Sequence, residues 1–272
     1  MVLFSASIQH SQPVISQLVV FGDSLSDTGN VFRASGGVYP PNPPYFQGRY
    51  SNGPVWVEYL ANKLNLTAAQ SQNFALGGAT TGTSSINGLP GALSQVQTFT
   101  ATHPDADPHA LYILWAGAND YLYGAADPTV AIANLEKSLQ SLASIGAQKI
   151  LVANLPDLGQ VPATRNDSNA RSLSDITRRH NQNLERLLTI LERTLNHTQI
   201  VRLDVGSLYC DAIVHPSQFG FSNVTQACFE VSACPHPNQF LFWDGIHPTT
   251  AAHRILGDAA FETLQTRVFI AP

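Results

Sequence analysis

Ser24 has the surroundings expected of a nucleophile. It follows an apolar run at residues 17–21 (QLVVF) and the turn Gly22-Asp23, within the stretch VFGDSLSDTGN. The run predicts a short buried strand, and parallel α/β sheets bind ligands at the carboxyl ends of their strands. A serine just past the turn can therefore present its hydroxyl to solvent among backbone N–H groups. Gly-Asp-Ser is also an ordinary turn sequence, so a catalytic role depends on partners elsewhere in the chain.

Asp244 and His247 supply such partners near the other end of the chain, in the segment WDGIHP. At this spacing the carboxylate can accept a hydrogen bond from the imidazole Nδ1–H, which leaves Nε2 free to take a proton from serine. A purely structural interpretation makes Asp244 a turn residue and places His247 at a helix start, before a proline at the first helical position. The order Ser, Asp, His provides a nucleophile, an orienting carboxylate and a base.

Gly78 and Asn119 are candidate hydrogen-bond donors to a developing oxyanion. Gly78 lies in NFALGGAT, where a glycine N–H can approach a ligand closely, and Asn119 follows the apolar run LYILWAGAND. The alternative interpretation makes Gly78 an ordinary loop glycine and Asn119 a turn or cap residue. Because all four segments adjoin a predicted strand or helix, together they favour a serine hydrolase site.

The four segments resemble the blocks of the GDSL or SGNH hydrolases, a family named for Ser, Gly, Asn and His. GDSLSDTGN, NFALGGATT, GAND and FWDGIHPTTAAH are similar to its lipase/acylhydrolase branch, as are GRYSNGPVW and NLPDLG, over about residues 18–265. The resemblance implies that Ser24 is the nucleophile, His247 the base and Asp244 its orienting partner. It also implies an oxyanion hole formed by the N–H groups of Ser24 and Gly78 and by the Asn119 side chain.

The elements that must position these residues alternate between strands and helices. We predict strands at 17–21, ending near 75, and at 110–116, 149–154 and 199–205, with helices at 55–64, 127–145, 172–195 and 249–264. Apolar strands between helices predict an α/β fold, a three-layer α/β/α sandwich around a five-stranded parallel sheet. No linker or repeat is visible, so residues 1–272 form one predicted domain with a core at about 18–265. The resemblance implies the flavodoxin-like strand order 2-1-3-4-5.

Two long irregular segments, 36–46 and 208–242, are expected to shape the substrate site. Their aromatic side chains are candidates for lining an apolar acyl groove. The alternative is that they pack within their own loops. The candidates are Tyr39, Tyr45, Phe46, Phe219 and Phe221.

Composition limits the possible partners and the location. The 272 residues carry a net charge of −5, only 12% are charged, and no basic cluster occurs. This argues against nucleic acid or an anionic membrane as the main partner, while transient contact with a lipid surface stays possible. No apolar run is long enough to span a membrane, and residues 1–17 are too polar for a signal peptide. We therefore expect a secreted or periplasmic protein if a leader has been removed, and a cytoplasmic one otherwise; the sequence does not indicate an oligomeric state.

The three cysteines leave two arrangements open. Cys228 and Cys234 are six residues apart and can form a local disulfide that leaves Cys210 free, or all three can be reduced. No CxxC or HxxxH spacing occurs, so we expect no metal and no other cofactor.

These residues predict an enzyme that hydrolyses carboxylic esters through an acyl-enzyme intermediate. A phospholipase or a lipid acyltransferase using the same site is the nearest alternative. A non-catalytic module that only binds an ester or a sugar is a further one.

Overall fold

The computed structural model describes residues 15–230 and 234–266. The predictions made for residues 1–14 therefore lie outside the described part. The strands are β1 (Leu18–Gly22), β2 (Ser71–Asn73), β3 (Leu111–Trp115), β4 (Lys149–Ala153), β5 (Gln199–Leu203), β6 (Asn223–Ala227) and β7 (Phe240–Phe242). The helices are α1 (Asn30–Ala34), α2 (Trp56–Lys63), α3 (Ala92–Thr102), α4 (Ala118–Leu122), α5 (Thr129–Ser144), α6 (Ala170–Thr194), α7 (Val205–Val214) and α8 (Thr250–Thr266).

Five strands form the central sheet in the order β2-β1-β3-β4-β5, and every pairing is parallel. The predicted three-layer α/β architecture and strand order are confirmed. In a parallel sheet all carboxyl ends lie at one edge, so the loops after β1, β3 and β4 emerge side by side. This edge collects the segments that contain Ser24 and Asn119.

Each central strand is buried on both faces, and alternate side chains supply two separate cores. Leu18 and Val20 of β1 point into the core under α2 and α8, whereas Val19 and Phe21 point into the core under α3, α5 and α6. This explains why the strands read as continuous apolar runs in the sequence. The sheet is consequently held on both sides, which gives the loops at its carboxyl edge a rigid base.

The sequence prediction differs from the structure mainly in short or polar elements. β2 has only three residues and ends at Asn73, and the helices α1, α3, α4 and α7 were not predicted. The apolar side chains of α3 (ALSQVQTFTAT) are interrupted by Gln and Thr, so the sequence shows only a weak helical periodicity of apolar residues. The segment 208–242, predicted to be a long irregular loop, contains the end of α7 and a small parallel sheet of β6 and β7.

In the described residues, no helix is both long enough and apolar enough to cross a membrane. Within 15–230 and 234–266 there is also no group of three or more His, Cys, Asp or Glu side chains placed to hold a metal ion.

Candidate active site

Ser24 lies on a tight turn immediately after β1. A side chain at Gly22 would place its Cβ 2.4 Å from the carbonyl oxygen of Trp115 on the neighbouring strand, so only glycine fits there. The Gln95 side chain from α3 binds both the N–H and the carbonyl of Gly22, at 2.9 and 3.0 Å. Leu25 N–H then donates to the Asp23 carboxylate at 3.0 Å, which closes the turn and orients Ser24.

His247 joins Ser24 to Asp244. Its Nε2 lies 2.8 Å from Ser24 Oγ, and its Nδ1 lies 2.7 Å from Asp244 Oδ2. An ionised carboxylate only accepts hydrogen bonds, so Nδ1 carries the proton and Nε2 of the neutral ring accepts from the serine hydroxyl. All three residues are at least nine-tenths buried. The arrangement can draw the proton from Ser24 and place the resulting positive charge against a carboxylate.

The Asp244 carboxylate is held by four donors. Oδ1 accepts the N–H groups of Ile246 and His247, at 2.9 and 2.7 Å, and Oδ2 accepts from His247 Nδ1 and from the Tyr45 hydroxyl, both at 2.7 Å. Burial acts to raise the pKa of Asp244, but the charge of His247 and these hydrogen bonds outweigh it and lower the pKa to about 2. Asp244 is therefore ionised at any pH near neutrality.

Three N–H donors are available around Ser24. Asn119 lines the same cavity as Ser24, and its Nδ2 donates one proton to the Ala79 carbonyl at 2.9 Å, so its second N–H is free. Gly78 has a φ of 80°, a left-handed conformation that favours glycine. In the described part of the chain, no acceptor lies within hydrogen-bond range of the N–H groups of Gly78 and Ser24.

Two carboxylates, buried Asp27 and partly buried Asp120, attach the loops of Gly78 and Thr81 to the scaffold, and sequence reasoning did not assign them. Asp27 accepts from Gly77 N–H at 3.0 Å as well as from Gly29 and Asn30. Asp120 accepts from the Thr81 N–H and hydroxyl, at 2.9 and 2.7 Å. Both lie inside the GDSLSDTGN and GAND motifs, so their position in these motifs was the signal that could have identified them.

Two further residues adjoin the site without having been predicted there. The Tyr50 ring packs on the His247 ring, with centroids 5.1 Å apart. Asp23 lines the cavity, and burial raises its pKa to about 7 even though Leu25 N–H and the nearby His247 act in the opposite direction.

A narrow apolar cavity of about 30 Å³ opens beside Ser24. Its lining residues are Asp23, Ser24, Leu25, Ala118, Asn119, Leu122, Pro156, Leu158, Val161, Tyr209, Ile246 and His247. A second cavity of about 100 Å³ shares Pro156, Val161 and Tyr209 with the first and continues along α7. A larger open groove, about 680 Å³, lies between α6 and β5 and contains none of the predicted site residues.

The five aromatic candidates lie outside the cavity beside Ser24, and a substrate-binding role for their rings stays a prediction. Phe221 is 5% exposed and belongs to the core, and Phe219 packs against that core. Phe46 lies beneath the Arg49 guanidinium at 5.8 Å. Tyr45 is bonded to Asp244, and Tyr39 is 54% exposed. None of the five lines the cavity beside Ser24.

Of the two cysteine arrangements left open by the sequence, the structure contains the one with a disulfide. Cys228 and Cys234 are bonded, and Cys210 is free and exposed. Phe229, next to the bridge, donates its N–H to the Trp243 carbonyl at 2.8 Å, directly before Asp244. The bridged segment is thus attached to the turn that contains Asp244 and His247.

Comparisons with known proteins agree with this architecture. The model of the GDSL-like lipase/acylhydrolase family matches residues 18–260. The chain is 31% identical to a phosphatidylcholine-sterol acyltransferase of Aeromonas hydrophila, over 98% of this chain and 95% of that protein. It is 25% identical to a GDSL esterase/lipase of Arabidopsis thaliana, over 92% and 90% of the two chains. An aryl esterase of M. smegmatis in its inhibitor-bound form has the same fold, with a TM-score of 0.58 at 19% identity, covering 94% of this chain and 100% of that one.

Proposed function

Because the chain belongs to the GDSL-like lipase/acylhydrolase family, we propose that it hydrolyses carboxylic esters through an acyl-enzyme formed on Ser24. The single observation that carries this mechanism is the continuous series of hydrogen bonds from Ser24 Oγ through His247 to Asp244. A serine hydroxyl is a weak nucleophile unless a base removes its proton during attack, and this series provides the base and its orientation.

In the first half-reaction, Ser24 Oγ attacks the ester carbonyl carbon while His247 Nε2 takes the hydroxyl proton. The carbonyl π electrons move to oxygen, and the imidazolium that forms is stabilised by Asp244 at 2.7 Å. Collapse of the tetrahedral intermediate breaks the bond to the alkoxy oxygen. The proton on Nε2 goes to that oxygen, so the alcohol leaves neutral and the acyl group remains on Ser24.

The free N–H groups of Ser24, Gly78 and Asn119 serve as the oxyanion hole in this proposal. Charge on the carbonyl oxygen develops only after attack, so these donors stabilise the transition state more than the bound ester. The bond from Asn119 to the Ala79 carbonyl supports this role, because it orients the amide before substrate arrives.

In the second half-reaction, water attacks the acyl carbonyl carbon as His247 Nε2 accepts its proton. The bond to Ser24 Oγ then breaks, Ser24 regains the proton from His247, and the acid is released. An acyltransferase is the second candidate function, favoured by the 31% identity to a phosphatidylcholine-sterol acyltransferase. It requires only that an alcohol replace water as the acceptor. A phospholipase is the hydrolytic variant of the same chemistry. A module that only binds an ester is disfavoured by the bonded series of nucleophile, base and carboxylate.

The apolar cavity beside Ser24 is the proposed acyl site. Leu25, Leu122 and Ile246 supply apolar walls next to the nucleophile. The second cavity, which shares Tyr209 with the first, adds further apolar surface beyond that residue. Apolar lining with few polar groups suits a hydrocarbon chain, whose transfer from water is favourable in proportion to its area.

We also propose that the protein works in an oxidising compartment, as secreted and periplasmic proteins do. The disulfide between Cys228 and Cys234 supports this, because such bonds persist where thiols are not kept reduced. Mass spectrometry of protein isolated without reductant from its native host tests the proposal. Three free thiols in that material would contradict it.

The central experiment compares Ser24→Ala with Ser26→Ala. Both serines lie in the same turn, but the Ser26 hydroxyl accepts from the Trp56 indole and does not face His247. We expect Ser24→Ala to remain folded and to lose both ester turnover and labelling by a fluorophosphonate, while Ser26→Ala keeps both. Labelling that persists in Ser24→Ala would show that another residue is the nucleophile.

A further inference from the structure

Four exposed apolar side chains lie on loops that adjoin the site. Tyr39, Ile86, Tyr123 and Phe229 are 54, 45, 60 and 50% exposed, on four separate loops. We refer to these four side chains as the rim. Large exposed apolar side chains that lie singly need no explanation, but a group that adjoins one site indicates an interaction surface.

Two rim residues contact residues that themselves touch the Asp244–His247 pair. The Tyr39 and Tyr50 ring centroids are 5.9 Å apart, and Tyr50 packs on His247. The Phe229 and Tyr45 ring centroids are 6.3 Å apart, and Tyr45 donates to Asp244.

The other two rim residues are attached to the residues that donate to the oxyanion. Ile86 N–H binds the Gly78 carbonyl at 3.0 Å, and Tyr123 N–H binds the Asn119 carbonyl at 3.2 Å. Tyr123 also acts electrostatically on Tyr39: after burial and Asp244, it is the third cause that raises the pKa of the Tyr39 hydroxyl. All four rim residues therefore adjoin residues of the site.

The loops that carry the rim contain few charged residues, of which Glu230, next to Phe229, is one. Charged residues make up 12% of the chain, yet segments 34–48, 74–104, 121–126 and 216–229 contain no Asp, Glu, Lys or Arg. Placing these four segments against an apolar layer consequently desolvates no charge within them. Because these segments contain no Lys or Arg, they do not attract an anionic membrane electrostatically, and the net charge of −5 opposes such attraction.

We propose that the rim docks onto the surface of a zwitterionic lipid aggregate, from which an ester enters the site. Tyr and Phe rings together with an Ile side chain suit the boundary between head groups and acyl chains, because the tyrosine hydroxyls stay hydrated while the rings are buried. A second copy of this chain or a protein partner seated on the rim would cover the opening to Ser24. A lipid layer seated there delivers substrate through it.

This inference deepens the proposed function and rests on it, since the docked lipid must present its ester to Ser24. Binding can nevertheless be measured without turnover. Ser24→Ala protein is mixed with vesicles of diether phosphatidylcholine, which has no ester to cleave, and the bound fraction is determined by flotation. We expect binding that is unchanged by 1 M salt, because apolar contact is not screened as charge attraction is.

A matched pair of substitutions locates the contact. Ile86→Ser removes a rim side chain, and Ile190→Ser removes an isoleucine that is 57% exposed on α6. The last turns of α6 lead into β5 and therefore lie at the amino ends of the strands, opposite the site. We expect Ile86→Ser combined with Tyr123→Ser to lower vesicle partitioning by about tenfold or more, and Ile190→Ser to leave it within about twofold.

The outcomes separate this inference from the proposed function. In the protein with Ser24 intact, the rim substitutions should lower the ratio of turnover on vesicle phosphatidylcholine to turnover on a soluble short-chain ester. No vesicle binding, binding abolished by salt, equal losses in the rim and Ile190 variants, or a rim-dependent dimer would each overturn the rim proposal, whatever the soluble ester shows. Rim-dependent binding with no hydrolysis of any ester would instead overturn the proposed function.

Discussion

The hydroxyl of Tyr45 provides the sharpest test of how Asp244 is held. Of the four donors to the Asp244 carboxylate, three belong to the turn 244–247 itself, and Tyr45 alone comes from another part of the described chain. Tyr45→Phe deletes that hydroxyl and keeps the ring, including its packing against Tyr50 and Phe229. The substitution therefore isolates one hydrogen bond to Oδ2, the oxygen that also faces His247.

The expected magnitude follows from the contact. A hydrogen bond to a charged group contributes about 1.5–3 kcal/mol, and the half-buried position of Tyr45 places it near the lower end. If the same free energy is lost from the transition state in which His247 becomes positively charged, kcat falls by roughly ten- to thirtyfold with little change in KM. The effect stays well below complete removal of the carboxylate, because the turn still holds Asp244 in place.

Tyr59→Phe is the matched control. The Tyr59 hydroxyl lies 2.7 Å from Thr250 Oγ1 and joins α2 to α8, so its loss should cost about 1 kcal/mol of stability without altering kcat. Turnover of a soluble ester and urea unfolding are measured for both variants. A double-mutant cycle with Asp244→Asn completes the test, since Tyr45→Phe should have little further effect on kcat when the carboxylate is absent. Equal kcat values for Tyr45→Phe and Tyr59→Phe would refute this reasoning.

The remaining predictions concern the oxyanion donor Asn119, the relative contributions of Ser24, His247 and Asp244 to turnover, and stability in acid. Asn119→Ala should lower kcat by roughly 10²–10³ with KM little changed, because its free N–H acts on charge present only after attack; a kcat within threefold of wild type in steady-state kinetics would rule this out. Removing His247 should cost nearly as much turnover as removing Ser24, and Asp244→Ala should cost less, since Asp244 orients and moves no proton. Stability should fall as the pH drops below about 6.5, because folding lowers the pKa of His253 from 6.5 to about 3, and should fall further below about pH 4, because folding lowers the pKa of Asp244 from 3.8 to about 2. Both groups bind protons more tightly in the unfolded state, so their contribution to stability is present at higher pH and is lost as the pH drops through those ranges. Asp244 alone accounts for about 2 kcal/mol of the free energy of unfolding. Urea unfolding at about pH 4.5 and about pH 2.5 should therefore show a smaller fall in this free energy for Asp244→Asn than for the wild type.

Local sequence determined most of the framework and the chemistry of each motif. The strands β1, β3 and β4 were predictable because each is fully buried and reads as an almost unbroken apolar run, and β5 (QIVRL) was predictable from its buried Ile200, Val201 and Leu203. The hydrogen bonds between Asp244 and His247 were equally predictable, because they close within a single turn and depend only on spacing. Strand order came from resemblance, since periodicity carries no information about which strands are neighbours. Gly78 and Asn119 were candidate donors from their own segments, and the resemblance added the Ser24 N–H.

Tertiary structure alone decided which of these local features meet. The bond from Ser24 to His247 joins residues 223 positions apart, and the bond from Tyr45 to Asp244 joins residues 199 apart. Tyr45 and Phe221 looked alike in the sequence, as aromatic residues in irregular segments, yet one holds Asp244 and the other is buried in the core. A loop has no regular period to assign a side chain to one face, so its direction is set by the packing of distant elements against it. For that reason the sequence identified the reacting groups, while the fold decided how they are held and what surrounds their opening.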